Sequence, residues 1–138
     1  MGAWGYLPFD NDTTNDWAYG LEEVADLSLV ESAFDELEAV GAEYLDQDIA
    51  CNAIGACEVL ARLLGRPGYT NAYTEKVDEW VANHQLNPSP RLLKRADTAI
   101  DRILGEDSEL QELWYEGEGN EGDLWKGALE DLRARLHP

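Results

Sequence analysis

The chain has 138 residues, with 29 acidic side chains against 10 basic ones, a net charge of −19, and 44% hydrophobic residues. That length suits one core, and the apolar content is enough to fold against the self-repulsion, which excludes a disordered polyanion. The charge opposes nucleic acid and anionic membrane surfaces, no apolar run is long enough to span a bilayer, and the first residues lack the pattern of a secretory signal, so a cytoplasmic setting is expected.

The opening Met1-Gly2-Ala3-Trp4-Gly5-Tyr6-Leu7-Pro8-Phe9 has two glycines, a proline and three aromatics in nine residues. It cannot be a regular helix and is expected, over residues 1–12, as an extended aromatic arm lying on the domain. Asp10, Asn11, Asp12 and Thr13 supply capping side chains, and Trp17, Leu21 and Val24 recur at helical spacing, which predicts a first helix over 13–26. Ser28 and Glu31 read as a capping box for a second helix that turns Val30, Ala33, Phe34 and Leu37 inward and ends at Gly41.

Residues 46–64 are apolar on most sides through Ile49, Ala50, Ala53, Ile54, Cys57, Leu60, Ala61 and Leu64, which predicts a buried central helix. Gly65 and Pro67 stop it. Thr74 is placed to cap a short helix carrying Val77, Trp80 and Val81, and Ser89-Pro90 starts a fifth helix over 90–104, with Leu92, Leu93, Ala96, Ala99, Ile100 and Ile103 inward. Ser108 and Gln111 read as another capping box, ahead of Leu110, Leu113 and Trp114. The glycines and glutamates of 116–122 predict a flexible loop, after which Trp125, Ala128, Leu129, Leu132 and Leu136 resume the helical period. The fold class is therefore all-α: a single compact domain, 1–138, of six or seven helices around the central one.

Charge is unevenly placed. Residues 1–61 hold 14 acids and no Lys or Arg, residues 62–105 hold 5 acids and 7 bases, and residues 106–138 hold 10 acids and 3 bases. The slightly basic middle, including a stripe of Arg91, Lys94, Arg95 and Arg102, can pair with the acidic flanks. Cys51 and Cys57 stand six residues apart on one helix, about 9 Å at ~1.5 Å per residue, which exceeds the reach of a disulfide. Neither has a partner at metal-ligand spacing, so both read as small core residues.

Asp10, Asn11, Asp12 and Asp16 form the densest carboxylate cluster, but a calcium loop starting at Asp10 would need Gly and Glu where Asn15 and Leu21 stand. Helix capping accounts for the cluster, and Asp10, Asp12 and Asp16 are only weak metal candidates. His84 reads as a packed histidine four residues after Trp80. No hydrolase or phosphate-loop signature is present, and no residue pattern asks for a cofactor.

The start Met-Gly-Ala-Trp-Gly, then Pro8-Phe9-Asp10-Asn11-Asp12 and Asp16-Trp17, and the later Ser108-Glu109-Leu110-Gln111-Glu112-Leu113-Trp114 resemble the bacterial domain-of-unknown-function family numbered 4259. The resemblance implies a bacterial source and no particular chemistry. The reading that follows is a non-catalytic acidic interaction protein for a basic protein partner, in concrete form an immunity or inhibitor protein that covers a basic toxin. Its candidate residues are Trp4, Phe9, Asp10, Asn11, Asp12, Asp16, Trp17, Glu109, Glu112 and Trp114. Two alternatives stand beside it. One is an enzyme or metal-binding protein with a carboxylate site near Asp10, Asp12 and Asp16; the other is a helical domain whose acidity serves solubility alone.

Overall fold

The longest buried segment is a helix whose sequence is rich in alanine, free of proline and capped by Asp46, whose carboxylate accepts from the Asp48 N–H at 2.8 Å. It is one of seven α-helices in a computed structural model that describes residues 3–137; Met1 and Gly2 of the expected arm, and Pro138, lie outside the described residues. In chain order these are α1 (Asp12–Ala18), α2 (Ser28–Val40), α3 (Gln47–Leu63), α4 (Glu75–Asn83), α5 (Pro90–Leu104), α6 (Glu109–Tyr115) and α7 (Glu121–Arg135). Helix makes up 65% of the structure, without strands among the described residues. The central helix α3 packs against each of the other six, as its apolar residues require. Gly55 sits in its middle because α1 comes close there. A Cβ at this position would lie 2.8 Å from the Thr14 methyl and 3.0 Å from the Trp17 ring, which outweighs the roughly 1 kcal/mol that glycine costs inside a helix.

The ends of the elements depart from the sequence reading in several places. The first helix stops at Ala18 and tightens into a 3-10 helix, Tyr19–Glu23, which turns Ala18 and Leu21 inward together at the three-residue spacing of that geometry. Val24 is already extended. Neither capping box forms. Ser28 falls inside α2, and the Asp26 carboxylate takes its backbone N–H instead. Ser108 is held extended by a bridge to Leu45, in which Leu45 N–H donates to the Asp107 carbonyl at 2.7 Å and Glu109 N–H to the Leu45 carbonyl at 3.0 Å, and its hydroxyl makes no capping bond. The Thr74 hydroxyl is likewise spent within the turn, on Asn71, rather than on capping α4. By contrast, Asn11 and Ser89 cap as read, accepting from Thr14 N–H at 2.8 Å and Leu92 N–H at 3.1 Å.

The N-terminal segment is not an extended arm but a closed loop. Ala3 bridges to Asn11, Trp4 N–H donates to the Asp10 carbonyl, Asp10 N–H to that of Leu7, and the Asp10 carboxylate accepts from Leu7 N–H. Asn15 Nδ2 donates to the Phe9 carbonyl at 2.7 Å. These bonds satisfy backbone groups that Pro8 and Phe9 carry into the interior. Phe9 is fully buried, a burial worth roughly 1.5–3 kcal/mol. The expected loop over 116–122 is also shorter, since α7 begins at Glu121 and Gly122 is buried in its first turn.

Candidate functional site

At the N-terminal end of α3 the two sequence motifs meet. The loop around Tyr6 and Pro8, the α3 residues Cys51 and Ile54, and Trp114 and Trp125 from α6 and α7 enclose a cleft of about 30 Å³, room for a water molecule or two. Its polar edge is Asn11, Thr13 and Gln47, and no Asp or Glu lines it. The Trp114 and Trp125 rings lie nearly parallel, 9° apart with centroids at 6.3 Å, and carry the α6–α7 packing.

The acids gather around the cleft instead. Glu109 reaches across from α6 to accept from the Gln47 N–H at 2.8 Å, filling an open donor at the start of α3. Asp46 and Asp48 occupy the same turn, Asp48 accepting from the Thr13 hydroxyl, and Glu112 accepts from the Tyr44 hydroxyl at 3.0 Å. The cluster shows in the titration of its neighbours. Loss of water, the Glu112 bond and the charges of Glu112, Glu109 and Asp107 all raise the Tyr44 hydroxyl above its ordinary range. Burial pushes the Cys51 thiol up to about 12; the Thr14 hydroxyl opposes this, and Asp48 and Asp46 add to it. Cys57 is raised further by burial, and both thiols are free and buried, as their spacing implied.

The other motif residues are placed as follows. Trp4 is half-exposed and tilts against Tyr73 with centroids 4.9 Å apart, before α4 rather than beside α6. Phe9 is in the core, and its N–H donates to the Tyr69 hydroxyl. Trp17 is half-buried over Gly55. Asp10 serves the loop and Asn11 caps α1, while Asp12 and Asp16 are exposed on α1. Among the described residues no three His, Cys, Asp or Glu side chains come together as a cation would require, so Asp10, Asp12 and Asp16 do not form a shared carboxylate site.

The C-terminal end of α3 holds what sequence reading missed. Glu58 and Arg62, one turn apart on the most buried helix, are both buried, and they meet Arg135 from α7. The Glu58 carboxylate accepts from Arg62 Nε at 3.1 Å and from Arg135 Nη1 and Nη2 at 3.1 and 2.6 Å. Arg62 also donates to Asp78 at 2.6 Å and to the carbonyls of Pro67 and Tyr69, and Arg135 donates to Asp131 and to the carbonyls of Arg66 and Pro67. Burial alone would weaken the hold of Arg135 on its proton, but the bonds to Glu58 and Asp131 outweigh that and raise it above the ordinary range. Gly68 closes the group: it has φ +67°, and a Cβ there would lie 2.6 Å from Arg135 Nε. The one readable signal was an acid and a base four apart inside an apolar run.

Other basic residues pair at the surface, although Arg91 and Lys94 of the fifth-helix stripe stand exposed. On the fifth-helix stripe, Arg95 pairs with Asp35 and Glu38 of α2, and Arg102 donates to the carbonyls of Gly41, Glu43, Glu106 and Asp107. Arg133 pairs with Asp101.

A family model described as Domain of unknown function (DUF4259) matches residues 2–128. No curated protein and no solved structure matches the chain.

Proposed function

The chain belongs to the DUF4259 family, whose description carries no activity, and we propose that it acts by binding a basic protein through the acid-rimmed cleft at the start of α3. The supporting observation is where the charges go. Arg62, Arg95, Arg102, Arg133 and Arg135 are engaged within the fold, whereas Glu43, Asp46, Asp48 and Glu112 stand exposed around the end of α3, the first three of them within the 61 residues that have no Lys or Arg. Such a rim draws a cationic surface in, and the cleft between Tyr6 and Trp114 offers an apolar contact beside it. An immunity or inhibitor protein that covers a basic toxin is the concrete form of this reading. Two free, buried thiols suit the reducing bacterial cytoplasm as its setting.

The test is capture at low salt followed by kinetics on the captured protein. Its association rate should fall steeply as added salt shortens the screening length from ~10 Å at 0.1 M to ~3 Å at 1 M. Glu43→Lys with Glu112→Lys should slow association, while Glu109→Lys is unsuitable because Glu109 also holds the start of α3. A partner that binds regardless of salt, or no basic partner at all, leaves solubility as the reason for the charge.

A further inference from the structure

A second cleft, of about 320 Å³, opens between the 3-10 helix Tyr19–Glu23 and α4 and shares no lining residue with the first. Its volume is in the range of small-molecule sites. Leu21 and Trp80 form an apolar floor, and Glu22, Lys76, Glu79, Asn83 and His84 supply the polar wall. Two of its donor groups are already engaged. Trp80 Nε1–H donates to the Val24 carbonyl at 3.1 Å, and the Lys76 ammonium sits over the Tyr19 ring, 3.0 Å from its centroid. His84 Nδ1 lies 2.9 Å from the Trp80 carbonyl, which can only accept, so Nδ1 carries a proton and Nε2 is the ring nitrogen left without a partner. Beside the Asn83 amide, what remains is the pair of carboxylates, Glu22 and Glu79, above apolar surface.

From this we propose that the cleft between the 3-10 helix and α4 binds an alkyl-guanidinium, whose planar fork donates to Glu22 and Glu79 while its carbon stem lies on Leu21 and Trp80. A guanidinium suits the site better than an ammonium because it offers five donors in a plane, is weakly hydrated and packs against flat rings such as the stacked Trp80–His84 pair. The group can arrive on a free small molecule or on an arginine side chain of a bound protein. The proposal stands without the reading of the α3 cleft.

Titration of the full ¹⁵N-labelled chain with agmatine, and separately with a blocked Gly-Gly-Arg-Gly-Gly peptide, tests it by following the Trp80 indole and Asn83 amide signals. Saturable shifts are expected with one or both probes. Stronger binding of agmatine assigns the site to a free molecule, and stronger binding of the peptide to a partner's arginine. The same peptide with citrulline in place of arginine should bind at least about tenfold more weakly, since it loses a hydrogen bond to a charged group. Glu22→Gln with Glu79→Gln should weaken the guanidinium probes by a similar factor and leave the helical spectrum intact, because both glutamates are exposed. No saturable shift with either probe, equal binding of the citrulline peptide, or undiminished binding by the double variant would each overturn the assignment.

Discussion

At its C-terminal end α3 meets charge by closing over it: Glu58, Arg62 and Arg135 are buried, and Asp78, Asp131 and three loop carbonyls take up the remaining guanidinium donors. At its N-terminal end the same helix meets charge by leaving it in water, with Asp46 and Asp48 in its first turn, Glu109 reaching in from α6, and Glu112 on the Tyr44 hydroxyl. The difference is one of counter-ions. Where arginine is supplied, acids become part of the interior, and where none is supplied they can only be hydrated, capped by backbone N–H groups or matched by another molecule. The closed end is thus expected to govern stability, and the open end recognition.

The largest effect should come from breaking the closed end. Glu58→Ala removes the carboxylate that two buried guanidiniums share, leaving each with one partly exposed carboxylate partner, which should cost about 3–5 kcal/mol in urea unfolding. Replacing the group together, as Glu58→Met, Arg62→Leu and Arg135→Leu, should recover most of that loss, because Asp78 and Asp131 reach solvent and the apolar trio no longer has to be desolvated. If the triple variant is as unstable as the single one, the network does more than satisfy its own charges. Gly68→Ala should follow, at about 1–3 kcal/mol, since it strains a positive φ and drives a methyl into Arg135.

Much of this fold is legible in the sequence, but not the two ends of α3. The helical stripes give the core, and Asn11 and Ser89 cap as their local sequence says, because capping depends only on residues within a turn. Ser28 and Ser108 have the same local pattern and fail, the second because its backbone is drawn out by Leu45, 63 positions earlier. Glu58 and Arg135 are 77 residues apart, so nothing local marks them as partners. The meeting of the N-terminal loop with α6 and α7 was likewise a matter of tertiary packing. The resemblance joined those two segments as motifs, and the cleft shows what they share, a lining to which Tyr6 and Trp114 both contribute.

A smaller effect sharpens the contrast through pH. Burial raises Cys51 to about 12, and burial likewise raises Cys57 and Tyr69, all three within the packing of α3 and its C-terminal loop. In the folded chain these groups keep their protons above the pH at which the unfolded chain releases them. Their contribution is therefore whole below the unfolded values, ~9 for the thiols and ~10 for the tyrosine, and is lost as pH rises toward the folded ones. The urea midpoint should fall between about pH 9 and 12. Cys51→Ser with Cys57→Ala should flatten that fall, whereas an unchanged slope would locate the alkaline sensitivity elsewhere.

The smallest expected change in stability belongs to the open end, and it is the one that separates the two regions most directly. Glu112 is exposed and its bond to Tyr44 spans only surface, so Glu112→Gln should shift the unfolding free energy by less than about 0.5 kcal/mol. The tyrosine should nevertheless respond. Loss of water raises the Tyr44 hydroxyl first, but Glu112 adds both a hydrogen bond and a charge, so the variant should titrate at lower pH than the parent, read from the ultraviolet absorbance of ionised tyrosine against a Tyr44→Phe control. A lower Tyr44 titration with unchanged stability describes a charged surface held for another molecule. A loss comparable to that of Glu58→Ala would instead make the rim part of the framework, since only a group whose removal strands a neighbour in the interior carries that cost.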